Sequence, residues 1–257
     1  MSAIGIIPAR HASTRFPGKP LTHIAGRPMI QRVWERCREA KRLRDVIVAT
    51  DDTRIADACR GFGAQVVMTR SDHPTGTDRL AEVAQALSDE IVVNIQGDEP
   101  LVEGFVIDAA VEALEADAAA SMSTVVHAAA PGADTDPNRV KVVLDRAGCA
   151  LYFSRSRIPY ARSPEARSPE AAATLWQHVG LYAYRRSFLL EFVELERTPA
   201  ECSEELEQLR ALEHGHRIRA AIIEGWCSLP VDVPEDVARV EAALARDRSR
   251  ASGSADQ

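Results

Sequence analysis

No apolar run in this 257-residue chain approaches the roughly 20 residues that a membrane span needs, and the amino-terminal stretch enters a strand pattern without a signal-peptide core. A cytoplasmic protein with no membrane partner is expected. Basic excess is missing too: 31 Lys and Arg stand against 38 Asp and Glu, a net charge of −7. Counterion release, which drives non-specific nucleic-acid binding, therefore has no source, and nucleic acid is excluded as a partner. The 5 cysteines include no Cys-x-x-Cys pair, so neither a disulfide framework nor a zinc site is indicated, and reduced thiols are expected. The 7 histidines show no metal-ligand spacing either. Aromatic residues are only 5% of the chain against an apolar fraction of 46%, a balance that suits an α/β enzyme. No internal repeat is present, and the length fits one large domain or one domain with a subdomain.

What the chain does have lies at its start. The run Ile4-Gly5-Ile6-Ile7 is a buried-strand pattern that breaks at Pro8 into a loop with three cations, Arg10, Arg15 and Lys19, and two hydroxyls, Ser13 and Thr14. Gly18 lets backbone amides come close to an oxyanion. Ligands of open α/β sheets sit at the carboxyl ends of strands, so this loop is placed to hold an anion, with a triphosphate the best fit. It is not a P-loop: Ser13 stands where the first glycine is needed, and Pro20 follows Lys19.

Along the next hundred residues short apolar strands alternate with amphipathic helices. Strands are expected at 45–50, 65–68, 90–96 and 120–126, and helices carry the stripes Ile30-Val33-Trp34-Cys37, Ile55-Ala58-Cys59-Phe62, Leu80-Val83-Ala84-Leu87 and Ile107-Ala110-Val111-Leu114. The alternation predicts a doubly wound, mostly parallel sheet covered on both faces. Residues 69–79 read as a polar loop. Beyond 128 the pattern changes: a hairpin at 140–153, a mobile loop at 154–173, a strand at 176–184, and a helix opened by the capping box Thr198-Pro199-Ala200-Glu201 and carrying Leu206, Leu209 and Leu212. A strand at 217–223 and a final helix after Asp236 complete the order.

Asp98 stands at the carboxyl end of the clearest strand, in Gly97-Asp98-Glu99-Pro100. Those residues are good turn chemistry in their own right, yet a phosphate-binding loop at the end of another strand points to Mg²⁺, which takes one or two carboxylates, phosphate oxygens and water. Asp232 is a second candidate ligand, since Glu235 and Asp236 suffice for the following helix N-terminus; on spacing alone a plain strand-end carboxylate fits it equally.

The run Pro8-Ala9-Arg10-x-x-Ser13-Thr14-Arg15-x-Pro17-Gly18-Lys19-Pro20-Leu21 resembles the signature of the 3-deoxy-manno-octulosonate (Kdo) cytidylyltransferases, and nearly the whole chain shares the likeness. The resemblance implies a nucleotide-diphospho-sugar transferase-like fold with a smaller mixed lobe for sugar binding and dimerisation. Residues 1–248 would form a single cytidylyltransferase domain: 1–127 the nucleotide-binding half, 128–230 the sugar-binding and dimerisation lobe, and 231–248 the metal-ligand strand end and final helix. Residues 249–257 would be a disordered tail. The implied activity joins CTP to Kdo, giving CMP-Kdo and pyrophosphate for lipopolysaccharide assembly, with Mg²⁺ on Asp98 and Asp232. Val233 departs from the family's usual threonine.

By the same resemblance Pro8, Ala9, Arg10, Ser13, Thr14, Arg15 and Lys19 bind nucleotide, joined by Arg70, Asp72, Thr75, Gly76 and Arg79 of a nucleotide-recognition loop. Arg10, Arg15, Lys19 and Asp98 would be catalytic. Arg15, Gln96, His178, Tyr182, Glu207 and Gln208 would surround the sugar acid, although by themselves a strand histidine and a helical Glu-Gln pair read as core and solvated face. A homodimer is implied. Rival readings are a cytidylyltransferase for 8-amino-Kdo or a sialate-like acid, a glycosyltransferase using Asp134-Thr135-Asp136, and a non-catalytic interaction protein.

Overall fold

The structure, a computed structural model, describes residues 1–11, 16–130, 132–163 and 175–253, with side chains up to 246. In chain order the strands are β1 (Ala3–Ala9), β2 (His23–Ile24), β3 (Arg27–Pro28), β4 (Leu43–Thr50), β5 (Gln65–Met68), β6 (Ile91–Asn94), β7 (Ala120–Ala128), β8 (Lys141–Leu144), β9 (Ala150–Ser154), β10 (Trp176–Arg185) and β11 (Arg217–Ile223). The helices are α1 (Met29–Cys37), α2 (Thr53–Gly61), α3 (Gly76–Gln85), α4 (Gly104–Ala116), α5 (Arg186–Phe192), α6 (Pro199–Glu204), α7 (Gln208–Glu213) and α8 (Asp236–Gly253).

One nine-stranded sheet runs through both halves in the order β11-β7-β10-β6-β1-β4-β5, with the β8–β9 hairpin joined to β10. The strands on this path run parallel except β10, which is antiparallel to β6 and β7. Because it runs backwards, β10 carries its first half beyond the carboxyl end of β6: Tyr182 pairs with Asn94, and residues before Tyr182 have no β6 partner. This is where a ligand crevice belongs in such a sheet.

The near-continuous apolar runs of the central strands bury both faces. On one face Ile7, Val46, Val93 and Val125 pack with Ile30, Val33 and Trp34 of α1, Ile55 of α2 and Ile107 of α4. On the other, Ile6, Ile47 and Val92 meet Leu80 of α3, Phe188 of α5 and Leu209 of α7. Each fully buried aliphatic side chain is worth about 1.5–3 kcal/mol. A smaller cluster of Ile24, Met29, Val231 and Val240 pins the β2–β3 hairpin and α8 to one another. Glu241 adds a bond from Ala25 N at 2.7 Å.

Three expectations are corrected. The segment 69–79 is not loop throughout, because Thr75 caps α3 in a capping box with Asp78 and the helix starts at Gly76. The helix opened at Thr198 stops after Glu204, where Glu205 turns left-handed at φ 50°, and Leu209 and Leu212 belong to the separate α7. The final helix α8 runs on through residues 249–253, which the composition assigns to a tail; residues 254–257 lie outside the described residues. The mobile loop expected at 154–173 is described only to residue 163.

Candidate active site

The loop after β1 closes on itself through Gly18 N, which donates to His11 O at 3.0 Å, and Gly18 needs its φ of 73° to begin the 3₁₀ turn Lys19–Leu21. Ser13, Thr14 and Arg15 lie within the closed loop and outside the described residues. Arg10 is exposed at the end of β1. A Cβ on Gly97 would stand 3.3 Å from Pro8 O, so glycine is what lets the loop after β6 press on the end of β1.

That contact brings charge of opposite sign together. Lys19 Nζ donates to Asp98 Oδ2 at 2.8 Å and to Val231 O at 2.9 Å. Val231 N donates back to Asp98 O at 2.9 Å, which places Asp232, the next residue, beside the same loop. The carboxylate of Asp236 receives Asp232 N at 2.9 Å and Val233 N at 3.1 Å, so Asp236 serves the turn into α8. Among the described residues no group of three His, Cys, Asp or Glu forms a metal cluster. One carboxylate from each of these two adjoining segments is still a donor set that suits a hard cation taking its other ligands from phosphate and water. Asp98 Oδ2 already receives a cationic partner, the Lys19 ammonium.

The loop after β5 is arranged differently from its sequence reading. Arg70 and Asp72 pair with each other at 2.9 and 3.0 Å and are exposed. Thr75 accepts the Thr77 and Asp78 amides as an N-cap, and Gly76 packs on Pro8. Arg79 is only 3% exposed, with its guanidinium 3.2 Å from Asp51 and bonded to Thr69, so it ties two loops together instead of facing solvent.

A pocket of about 240 Å³ opens beside Asp98, lined by Gln96, His178, Tyr182 and Gln208. Its lining is short of partners: Glu99 Oε2, His178 Nε2 and Gln208 Nε2 are all shut from solvent without a hydrogen bond. Buried polar atoms left this way cost about 1–3 kcal/mol each unless a ligand or water meets them. Burial pushes the His178 imidazole down to about 3, so it is neutral. Burial raises Tyr182 well above its ordinary value, and the Glu207 charge adds to this. Glu207 does not line the pocket; Thr77 Oγ1 donates to its Oε2 at 2.6 Å across the boundary between the two halves. A bulge in β10 between Val179 and Tyr182 leaves Gly180 against Gln96, where a Cβ would sit 3.5 Å from Gln96 Cγ.

Glu99, Gln177 and Ser228 also line the pocket. Glu99 carried a signal, a second carboxylate at the same strand end, that turn chemistry masked. Ser228 carried none. Asp134 and Asp136, the pair of the glycosyltransferase rival, are engaged in a turn: Asp134 accepts from Arg157 at 2.6 Å and Asp136 from Asn138 N at 2.8 Å.

The sequence matches the family model described as cytidylyltransferase over residues 4–218. The chain belongs to the cytidylyltransferase family. Within it, the chain is 53% identical over 248 residues to a 3-deoxy-manno-octulosonate cytidylyltransferase of Syntrophotalea carbinolica, covering 95% of this chain and 99% of the relative. A mitochondrial enzyme of the same name from Arabidopsis thaliana is 46% identical, covering 96% of this chain and 84% of the relative. Among solved structures, a CMP:2-keto-3-deoxy-manno-octonic acid synthetase complexed with CTP superposes with a TM-score of 0.89 at 40% identity, over 96% of this chain and all of that one. A Leptospira borgpetersenii cytidylyltransferase, at TM-score 0.64 and 16% identity over 96% of this chain and 87% of its own, shares the fold. Membership of the cytidylyltransferase family makes the chain a nucleotidyltransferase.

Proposed function

We propose that the protein transfers CMP from CTP to the anomeric hydroxyl of Kdo, giving CMP-Kdo and pyrophosphate for lipopolysaccharide assembly. The observation that carries this reading is the convergence of Lys19, Asp98 and the Val231–Asp232 peptide at the mouth of a pocket with unsatisfied polar atoms. The named relatives, similar over nearly their whole length, supply the substrates.

The hydroxyl oxygen bonds to the α-phosphorus as the bond to the bridging oxygen of pyrophosphate breaks, and the hydroxyl proton leaves to solvent. Arg10, Lys19 and Arg15 supply positive charge to offset the charge that grows on the leaving group. Arg70, Asp72, Thr75 and Gly76 form the nucleotide side, with Ser13, Thr14, Pro8 and Ala9 of the first loop, while Arg79 holds that side in place. Gln96, His178, Tyr182 and Gln208 orient the sugar acid, and Glu207 braces them through Thr77. Asp98 and Asp232 would hold Mg²⁺, which neutralises charge at the reacting phosphate when bound. The chain's own work is positioning and fixed charge, with no covalent protein intermediate.

Residues 1–248 act as one catalytic domain in this reading. The exposed Leu151 and Tyr152 of β9 support a homodimer through the hairpin, to be checked by sedimentation. Among the described residues no helix is long and apolar enough to cross a membrane, and all five cysteines are free thiols, which supports a cytoplasmic site. The test of function is pyrophosphate release from CTP, UTP, ATP or GTP against Kdo, its 8-amino analogue and a sialate. Release with CTP and Kdo above all other pairs is expected; release with none would overturn the reading.

A further inference from the structure

The Glu99 carboxyl is held by Ser228 Oγ, which donates to its Oε1, and by the Leu229 amide, while among the described residues its Oε2 has no hydrogen-bond partner and is closed to solvent; the residue is 8% exposed and lines the pocket. Asp98, its neighbour in sequence, is committed to Lys19. Both consecutive carboxylates line the pocket, but Asp98 is tied to the cationic loop through Lys19, whereas Glu99 keeps one oxygen without a bond among the described residues. The Ser228 and Leu229 bonds hold the Glu99 carboxyl in place beside the pocket. A buried, unpaired carboxyl oxygen on a residue that lines a cavity and is held by packed neighbours is what a preorganised ligand contact looks like.

We propose that Glu99 is an acceptor-contacting, specificity-determining residue whose Oε2 pairs with one hydroxyl of the sugar acid. This rests on the proposed function above and adds a contact to it. A hydroxyl both donates and accepts, so it satisfies Oε2 whether or not Glu99 carries a proton. Gln208 Nε2 and His178 Nε2 offer two further unpaired positions around the same space, so the pocket presents a set of fixed polar points to a polyhydroxylated molecule. A site built to hydrogen-bond a hydroxyl rejects the analogue that lacks it, because its buried polar group is then left unpaired.

The test compares wild type, Glu99→Gln, Glu99→Ala and Ser228→Ala on Kdo and on a series of its monodeoxy analogues, with CTP saturating and then varied. Glu99→Ala is expected to lose roughly 10- to 100-fold in kcat/KM for Kdo with the KM for CTP within about twofold of wild type. Glu99→Gln, which keeps a polar atom at that point, should retain most of the activity. The decisive reading is one analogue: that lacking the contacted hydroxyl should be used equally by wild type and Glu99→Ala, while the other analogues keep the full difference. Equal losses on every analogue would make Glu99 a packing residue and overturn the proposal, whereas Ser228→Ala should show the same analogue dependence in weaker form. Wild-type formation of CMP-Kdo with an unaffected Glu99→Ala would remove the Glu99 assignment alone. Absence of any CMP ester from wild type with every sugar acid would remove the functional reading, and this proposal with it.

Discussion

Lys19 and Asp98, 79 residues apart in sequence, meet at 2.8 Å, and the same ammonium reaches Val231 O at 2.9 Å. One side chain therefore spans the amino-terminal loop, the end of β6 and the carboxyl-terminal segment. The contact holds the Asp98 loop against the segment that carries Asp232, and in the proposed reaction it would also place positive charge near the phosphates.

Lys19→Ala is accordingly expected to cut kcat by about 10²–10³, the cost typical of removing a fixed donor to developing charge. The KM for CTP should change less, because charge on pyrophosphate grows as the bond breaks. Steady-state kinetics decide this. An unchanged kcat with a raised KM would reduce Lys19 to a ground-state binding group.

Asp98→Asn should lower turnover by about a hundredfold or more while leaving the fold intact, since charge neutralisation at phosphorus is lost and the side chain is only partly buried. Chelation by EDTA should abolish wild-type activity and excess Mg²⁺ restore it. A fully active, chelator-resistant Asp98→Asn enzyme would contradict the metal assignment.

Gln208→Ala and His178→Ala test the acceptor side. Each removes a polar atom that has no hydrogen-bond partner among the described residues, so each should cost about 1–3 kcal/mol in kcat/KM for the sugar. Calorimetric titration should find CTP binding little altered. Equal loss for both substrates would indicate a folding defect.

Away from the site, Arg210 clamps Glu201 through bonds of 2.8 and 2.6 Å, with both side chains under 10% exposed. Burial alone would push the Glu201 carboxyl up, but the Arg210 bonds and charge outweigh it and hold the group below its ordinary 4.5. A folded value below the unfolded one means that this contribution to stability is complete above about pH 4.5 and is lost as pH falls through the folded value. Arg210→Ala leaves the buried carboxylate with the exposed Arg197, at 3.2 Å, as its remaining cationic partner, so the cost at pH 7 should fall below the roughly 3–5 kcal/mol of a fully unpaired buried charge. Denaturant midpoints at pH 7 and pH 4 should show the gap between variant and wild type narrowing on acidification.

Much of this was legible from residue order because apolar periodicity and turn chemistry are local signals. The strand-loop pattern at Ile4–Gly18, the hairpin flanking Asp145-Arg146-Ala147-Gly148 and the capping box at Thr198 needed no distant partner to be seen. The split at Glu205 was hidden because Leu206, Leu209 and Leu212 keep helical spacing across a left-handed residue that nothing in the spacing marks. Arg79 looked like a ligand-facing cation because its partner Asp51 is 28 residues away and its burial is a property of the sheet. Ser228 stood in a stretch without periodicity, and only the fold brings it to Glu99.

The bond from Thr77 Oγ1 to Glu207 Oε2, 2.6 Å long, links residues 130 apart. Thr77 sits in the first turn of α3, and Glu207 immediately precedes Gln208, which lines the pocket. In the proposed reading, with nucleotide beside α3 and acceptor beside Gln208, this bond would be a mechanical joint between the two substrate sites. Thermodynamic reciprocity then governs the pair: by whatever factor CTP raises the affinity for the acceptor through this joint, the acceptor raises the affinity for CTP by the same factor.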